Sequence, residues 1–172
     1  RCSRSCGYCG LRVANRGMER YCMTPDEILA SARLAVQFGY GSVVLQSGED
    51  HAITRGWVTA LISRIRQETG LAITLSLGER HRDDLAAWKE AGADRYLLRF
   101  ETSNETLFNR IHPPLPGPSG SRMALLATLR GLGYEVGSGI MVGIPGQSFE
   151  DLANDIETFR TLDLDMIGIG PF

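Results

Sequence analysis

The sequence predicts an α/β protein folded as a partial (β/α) barrel of the TIM type. Short apolar segments of strand length alternate with longer segments whose apolar residues recur at helical spacing. This alternation is typical of parallel strands joined by helices, and a parallel sheet must be covered on both faces or closed into a barrel. No Gly-x-Gly-x-x-Gly motif follows a predicted strand, so a dinucleotide-binding sheet has little support.

The predicted helices are marked by the residues that begin and end them. Thr24 and Glu27 form a capping box before a periodic apolar segment, and Gly39 ends that helix. Thr102 and Glu105 predict a second capping box, which begins a short helix. Further helices are predicted over residues 54–69, 82–91 and 123–132, and from residue 148 onwards.

The predicted strands are short apolar segments between these helices. In the second of them, Thr74 and Ser76 alternate with apolar residues, so both polar side chains are expected on one face of the sheet. Gly137 and Gly139 interrupt the fourth strand and predict a close approach of its backbone to a neighbour or a ligand. The five predicted strands cover residues 42–46, 71–77, 95–100, 134–142 and 165–169.

Residues 1–172 are expected to form one domain, because this length supports a single core. No strand is predicted before the cysteines near the start of the chain, and a complete barrel of this type has eight strands. We therefore expect a barrel fragment, truncated at both ends. Residues 112–121 contain four prolines and two glycines, which predicts a loop.

Three cysteines near the start of the chain are the strongest chemical signal. Cys2, Cys6 and Cys9 are spaced Cys-x3-Cys-x2-Cys and are followed by Gly10. An ordinary iron–sulfur cluster has four thiolate ligands, and a structural zinc site has four Cys or His ligands. Three cysteines leave one metal position open to a small molecule, although a non-catalytic metal-binding module is the alternative. Cys22 is interpreted as an incidental thiol.

Composition narrows the class of protein further. The net charge of −2 gives no reason to expect a nucleic acid or an anionic membrane as a partner. No apolar segment approaches the length needed to span a membrane. Cysteines clustered at one end of a chain of this length favour metal binding in a reducing cytoplasm over a disulfide framework.

Polar side chains recur where the predicted strands end, which is where active sites lie in (β/α) barrels. Glu49, Ser76, Arg99 and Glu101 follow or end three different strands, and the corner at residues 141–143 follows a fourth. The three histidines have polar neighbours and are interpreted as surface residues; they are His51, His81 and His112.

The chain resembles the radical S-adenosylmethionine (SAM) enzymes, and within them the FeFe-hydrogenase maturases. Biotin synthases and methylornithine synthases are the nearest alternatives. The Cys motif alone indicates the superfamily, while Gln-Ser-Gly-Glu-Asp at residues 46–50 and Ile-Gly-Pro-Phe at residues 169–172 are more specific. The other segments that carry the resemblance are residues 10–12, 33–39, 74–79, 92–99 and 141–147.

The resemblance implies that the three cysteines hold a 4Fe–4S cluster and that SAM chelates the fourth iron through its amino and carboxylate groups. Ser47, Gly48 and Glu49 match the motif that receives the SAM amino group. Glu101 and Arg122 match positions that bind the SAM ribose and carboxylate. The remaining cofactor-binding residues expected from the resemblance are Tyr8 and Met141 beside the adenine, Thr74 and Ser76 in the cavity, and Arg99 next to Glu101.

The resemblance also implies a reaction and its participants. A family member cleaves SAM reductively to methionine and a 5′-deoxyadenosyl radical, here in maturation of the hydrogenase H-cluster. The implied substrate is a small molecule or an iron-bound cysteine-type compound, and the implied electron donor is a ferredoxin or a flavodoxin. Other hydrogenase maturases are expected as partners.

Overall fold

The computed structural model describes residues 1–113 and 121–172. Its strands are β1 (Ser42–Gln46), β2 (Ala72–Ser76), β3 (Arg95–Leu97), β4 (Glu135–Val142) and β5 (Met166–Pro171). Its helices are α1 (Pro25–Gln37), α2 (Arg55–Thr69), α3 (Arg82–Glu90), α4 (Glu105–Ile111), α5 (Arg122–Gly131) and α6 (Phe149–Thr161).

The strands form one parallel sheet in the order β1-β2-β3-β4-β5. Spatial order therefore follows chain order, as it does in a (β/α) barrel, whereas a doubly wound sheet reverses direction at a switch point. The described residues make a half-barrel with helices on its outer face, which confirms the predicted fold class. None of the helices in the two described ranges is long and apolar enough to cross a membrane.

The two faces of the sheet differ in chemistry because side chains alternate along each strand. Ile73, Leu75 and Tyr96 are buried against the helices. Thr74 and Ser76 point to the opposite, concave face, as predicted from their alternation with the apolar residues of β2. The concave face thus carries polar side chains on β2, and the strand ends open onto it.

The first predicted capping box is confirmed, and the second is wrong. Thr24 accepts a hydrogen bond from the Glu27 amide, and the Glu27 carboxylate accepts one from the Thr24 amide. Helix α4 begins instead at Asn104, whose side chain accepts from the Leu107 amide at 3.1 Å. Thr102 does not cap this helix, because its hydroxyl donates a hydrogen bond to the buried carboxylate of Asp155 on α6 at 3.2 Å.

The third strand is shorter than predicted, and Ser138 explains why. Regular pairing of β3 ends at Leu97 rather than at residue 100. The fully buried Ser138 hydroxyl donates to the Leu98 carbonyl at 2.7 Å and accepts from the Phe100 amide at 3.2 Å. A side chain thereby replaces the backbone partner of the ladder over these residues, and backbone pairing with β4 resumes at Glu101.

The glycines of β4 allow the close approach predicted for them. A Cβ atom added to Gly139 would overlap the carbonyl oxygen of Gly168 on β5, and one on Gly137 would lie 2.9 Å from a Leu97 methyl. Side chains at these positions would push β4 and β5 apart or fill the concave face.

We expect Gly139→Ala to lower the free energy of unfolding by about 1–3 kcal/mol, the usual cost of overpacking. Gly56→Ala on α2 is the control, because a Cβ there meets no atom within 4 Å and alanine favours helix by up to about 1 kcal/mol. Thermal unfolding followed by circular dichroism measures both. Equal melting temperatures for Gly139→Ala and the unsubstituted protein would contradict this account of β4.

Candidate functional site

The cysteine loop, residues 2–9, lies across the carboxyl ends of the strands. The Ser3 amide and hydroxyl both donate to the Glu49 carbonyl, at 2.8 and 2.9 Å. Farther along the loop, the Gly7 amide donates to the Ile111 carbonyl at 2.8 Å. These bonds attach the loop to the end of β1 on one side and to the end of α4 on the other.

Gly48 is required for this attachment. A Cβ atom at Gly48 would overlap the Arg1 carbonyl and would lie 2.6 Å from Cys2 Cβ. Gly48 belongs to the motif expected to receive the SAM amino group, and the structure places it against Cys2. Only a glycine allows the backbone after β1 to approach the loop so closely.

The three thiols of the loop have different surroundings. Cys6 is buried, whereas Cys2 and Cys9 are half-buried. Burial raises the pKa of the Cys6 thiol, while the Tyr8 hydroxyl and the charge of Arg122 lower it and the other two cysteines raise it further.

Within residues 1–113 and 121–172, no three His, Cys, Asp or Glu side chains are grouped to hold one metal ion. A 4Fe–4S cluster does not need such convergence, because each cysteine binds a different iron atom. Exposed Cys22 stands apart, with only a weak contact to a neighbouring carbonyl.

A buried ion pair lies directly beneath the loop. Arg4 Nε donates to Glu49 Oε1 at 2.6 Å, and both side chains are about 95% buried. Glu49 Oε2 accepts from the Glu79 amide at 3.0 Å. Both oxygens of Glu49 thus bind protein groups, and its role toward a SAM amino group stays a prediction.

Glu79 joins the loop to α5. One of its oxygens accepts from Arg4 at 2.7 Å and the other from Arg122 at 2.9 Å. Burial raises the pKa of Glu79, but the neighbouring His112 ring and the guanidinium groups of Arg122 and Arg4 lower it to about 2. Since His112 Nε2 is 3.7 Å from the carboxylate, which is too far for a hydrogen bond, the arginines are the main cause.

Arg122 occupies the first turn of α5 and is fixed on every side. It pairs with Glu79, donates to the Arg99 carbonyl and to His112, and lies over the ring of Phe108 at 5.3 Å. Its predicted role as an anchor for a SAM carboxylate stays a prediction. In this structure the carboxylate that it holds is that of Glu79.

The interpretation of His112 as a surface residue is wrong. His112 is 3% exposed, and its Nδ1 lies 3.0 Å from Cys6 Sγ and 3.4 Å from Tyr8 Oη. It follows the last turn of α4 and stacks on Phe108, with 4.9 Å between the ring centres. His51 and His81 are exposed, as expected.

Glu101 carries a buried oxygen that has no hydrogen-bond partner among the described residues. Its backbone has φ of 66°, and its Oε1 accepts from Tyr8 Oη at 3.3 Å. Arg99 Nε is 3.2 Å from Oε2, close enough for an ion pair but not aligned for a hydrogen bond. Burial raises the pKa of Glu101, while Arg99 and Arg122 oppose the rise. Glu101 Oε2 is therefore available to accept a hydrogen bond from a hydroxyl group of a ligand.

The other predicted residues lie around the same opening. Met141 ends β4 and packs with Tyr8, Ile111 and Ile144 in a small apolar cluster. The two residues expected beside an adenine are therefore together. Thr74 and Ser76 lie on β2, lower on the concave face of the sheet. They are far from the cysteine loop in sequence but lie on the same side of the sheet.

These residues fit a cluster with a bound SAM. The loop supplies three cysteines, Gly48 allows the strand end to touch the loop, and Glu101 offers a buried oxygen that accepts no hydrogen bond from a described residue. The sequence reasoning missed Arg4, Glu79 and His112. Two sequence signals could have found the first two residues. Arg4 is a charged residue between two of the cysteines, and Glu79 is a charged residue three positions after the end of β2.

We expect Glu79→Gln to destabilise the protein at pH 7, since it removes the carboxylate paired with Arg122 and leaves Arg4 with Glu49 alone. The pKa of the Glu79 carboxylate falls from 4.5 to about 2 on folding. This shift contributes about 3 kcal/mol to the free energy of unfolding above pH 4.5, and the contribution is lost as the pH falls toward 2. Urea unfolding at several pH values should therefore show a shallower acid dependence in Glu79→Gln.

The matched control is Glu157→Gln, which removes an exposed carboxylate paired with Arg160. Exposed pairs contribute little to stability, so its unfolding profile should follow that of the unsubstituted protein. An acid dependence that is the same with and without the Glu79 carboxylate would show that Glu79 does not carry the predicted linkage.

Comparison with known proteins places this site in a family. The sequence model of the radical SAM superfamily matches residues 1–159. The chain is 49% identical over 171 residues to the FeFe-hydrogenase maturase subunit HydE of Thermotoga maritima, which covers 99% of this chain and 48% of that protein. It is 31% identical over 173 residues to the biotin synthase of Leptospira interrogans, covering 95% of this chain and 47% of that protein.

Among solved structures, that of methylornithine synthase (PylB) superposes with a TM-score of 0.90 at 26% identity, over 99% of this chain and 50% of that one. The chain thus spans about half the length of the relatives that it matches. The family match extends over most of the chain and includes the cysteine loop, the ends of β1 to β4 and α5. The chain belongs to the radical SAM superfamily.

Proposed function

We propose that this chain is the core of an enzyme that cleaves SAM reductively and acts in maturation of FeFe hydrogenase. The observation that carries the proposal is a three-cysteine loop, fixed across the strand ends, in a chain 49% identical to a HydE maturase. Three protein thiolates leave one iron of a 4Fe–4S cluster for another ligand.

Cys2, Cys6 and Cys9 would each hold one iron. When bound, the cluster supplies the electron that splits SAM into methionine and a 5′-deoxyadenosyl radical. The protein's contribution is to align the reacting groups and to exclude water from them. The bonds from Ser3 and Gly7 to the neighbouring backbone perform the first task, because they fix the loop at both of its ends.

The polar residues around the loop would bind SAM. Glu101 Oε2 would accept a ribose hydroxyl, the backbone and side chains of residues 47–49 would receive the amino group, and Arg122 would share its charge between Glu79 and the carboxylate. Tyr8 and Met141 would enclose the adenine. Arg99 would hold Glu101 in place through their ion pair at 3.2 Å.

Thr74 and Ser76 would line the cavity for a second molecule on the concave face of the sheet. That molecule would be a small compound or an iron-bound cysteine-type precursor. We also propose a ferredoxin or flavodoxin as electron donor, other hydrogenase maturases as partners, and a cytoplasmic location. These follow from the maturase resemblance and are tested separately from SAM cleavage.

The second candidate is another enzyme of the same superfamily, of the biotin synthase or methylornithine synthase type. The identity of 49% to the maturase, against 31% to a biotin synthase and 26% to the methylornithine synthase structure, favours the first. A strain that lacks its own HydE maturase should regain hydrogenase activity when it expresses this protein. Restored biotin synthesis in a biotin auxotroph, without restored hydrogenase, would favour the second candidate.

We expect anaerobic reconstitution to load about four iron and four sulfide per protein, and the reduced protein to form 5′-deoxyadenosine from SAM. Cys9→Ala should abolish both, because it removes a cluster ligand. Cys22→Ala is the matched control and should change neither, because that thiol is exposed and lies outside the loop. Iron and sulfide assays and chromatography of the nucleoside products measure these outcomes.

Two results would overturn the proposal. Zinc uptake without SAM cleavage would indicate a non-catalytic metal module. Loss of cleavage in Cys22→Ala together with full cleavage in Cys9→Ala would overturn the ligand assignment.

A further inference from the structure

His112 lies between the most buried cysteine and the ion-pair network beneath it. Its Nδ1 faces Cys6 Sγ at 3.0 Å, and its Nε2 faces Arg122 Nη2 at the same distance. The ring stacks on Phe108, and the His112 amide donates to the Phe108 carbonyl at 2.8 Å. Backbone, stacking and both ring nitrogens thus hold the imidazole in one position.

The partners of the ring decide which nitrogen carries its proton. Arginine has only donors, so Arg122 can approach Nε2 at 3.0 Å only when that nitrogen presents its lone pair. Glu79 Oε1, the nearest acceptor for an Nε2 proton, is 3.7 Å away and is already bound to Arg122. The proton of the neutral ring therefore lies on Nδ1, directed at Cys6.

Tyr8 does not compete effectively for this proton. Its hydroxyl is 3.4 Å from Nδ1, farther than the sulfur, and it donates its own proton to Glu101. The Nδ1–H group thus has the Cys6 sulfur as its nearest acceptor. Carboxylate groups of Glu79 and Glu101 surround the site, but neither forms a hydrogen bond with Nδ1 in the described part of the chain.

We propose that His112 is a positioning residue that donates an Nδ1–H hydrogen bond to the Cys6 sulfur and thereby raises the reduction potential of the cluster; this rests on the proposed function. A hydrogen bond to a cluster thiolate stabilises the more negative, reduced state, and such bonds are among the groups that set cluster potentials. Arg122 acts through His112 by fixing the tautomer.

The first test uses the protein without a cluster. Nitrogen-15 NMR of histidine-labelled protein should show one histidine with a proton on Nδ1 and a bare Nε2, and this signal should disappear in His112→Asn. A proton on Nε2 of His112 would overturn the proposal. This measurement does not depend on cluster loading or on SAM cleavage, so the proposed function can fail without affecting it.

The second test is a redox titration of the loaded protein followed by electron paramagnetic resonance. His112→Leu should lower the reduced-to-oxidised ratio at a fixed potential about tenfold, which for one electron is about 59 mV. His112→Asn is the matched variant, because its amide nitrogen takes the place of Nδ1 and should keep the potential close to that of the unsubstituted protein.

The outcomes separate the two claims. If the unsubstituted protein takes up no cluster, the proposed function fails. Alternatively, the unsubstituted protein takes up the cluster and cleaves SAM while His112→Leu, at equal iron and sulfide content, has the same reduction potential. In that case only the role of His112 fails. Where His112→Leu does not load, the tautomer measured in the unsubstituted protein decides the question.

Discussion

The bridge that Glu79 makes between Arg4 and Arg122 is the interaction on which the site depends. Arg4 belongs to the cysteine loop, Arg122 begins α5, and Glu79 follows β2, so one carboxylate joins three parts of the chain. Removing one member of a buried pair leaves an uncompensated charge and costs about 3–5 kcal/mol. These charges therefore help to hold the loop over the strand ends, together with the hydrogen bonds of Ser3 and Gly7 to neighbouring backbone.

The charges around the loop are balanced. The guanidinium groups of Arg4, Arg99 and Arg122 face the carboxylates of Glu49, Glu79 and Glu101, which gives +3 and −3 and a net charge of zero. Most of these groups satisfy one another, and among these three carboxylates Glu101 Oε2 is left without a hydrogen bond to a described residue. A balanced network of this kind suits a zwitterionic ligand, because binding it adds no net charge to a buried site.

The sequence was sufficient for the fold and for part of the site. Helical and strand periodicity predicted the βα alternation, because those patterns depend on local burial, and the cysteine spacing is local too. The network was not predictable in this way, because Arg4 and Glu79 pair across 75 residues of chain and Cys6 and His112 meet across 106. Thr102 and the end of β3 were misjudged for the same reason: distant Asp155 and Ser138 take the hydrogen bonds that local rules assign to nearer groups.

We propose that Cys2, Cys6 and Cys9 leave one iron of the cluster to which SAM binds directly. Electron–nuclear double resonance of the reduced protein, with SAM labelled with oxygen-17 in its carboxylate and nitrogen-15 in its amino group, tests this most directly. The account predicts hyperfine coupling of both labels to the cluster. A cluster spectrum that is unchanged by SAM, with no coupling to either label, would contradict it.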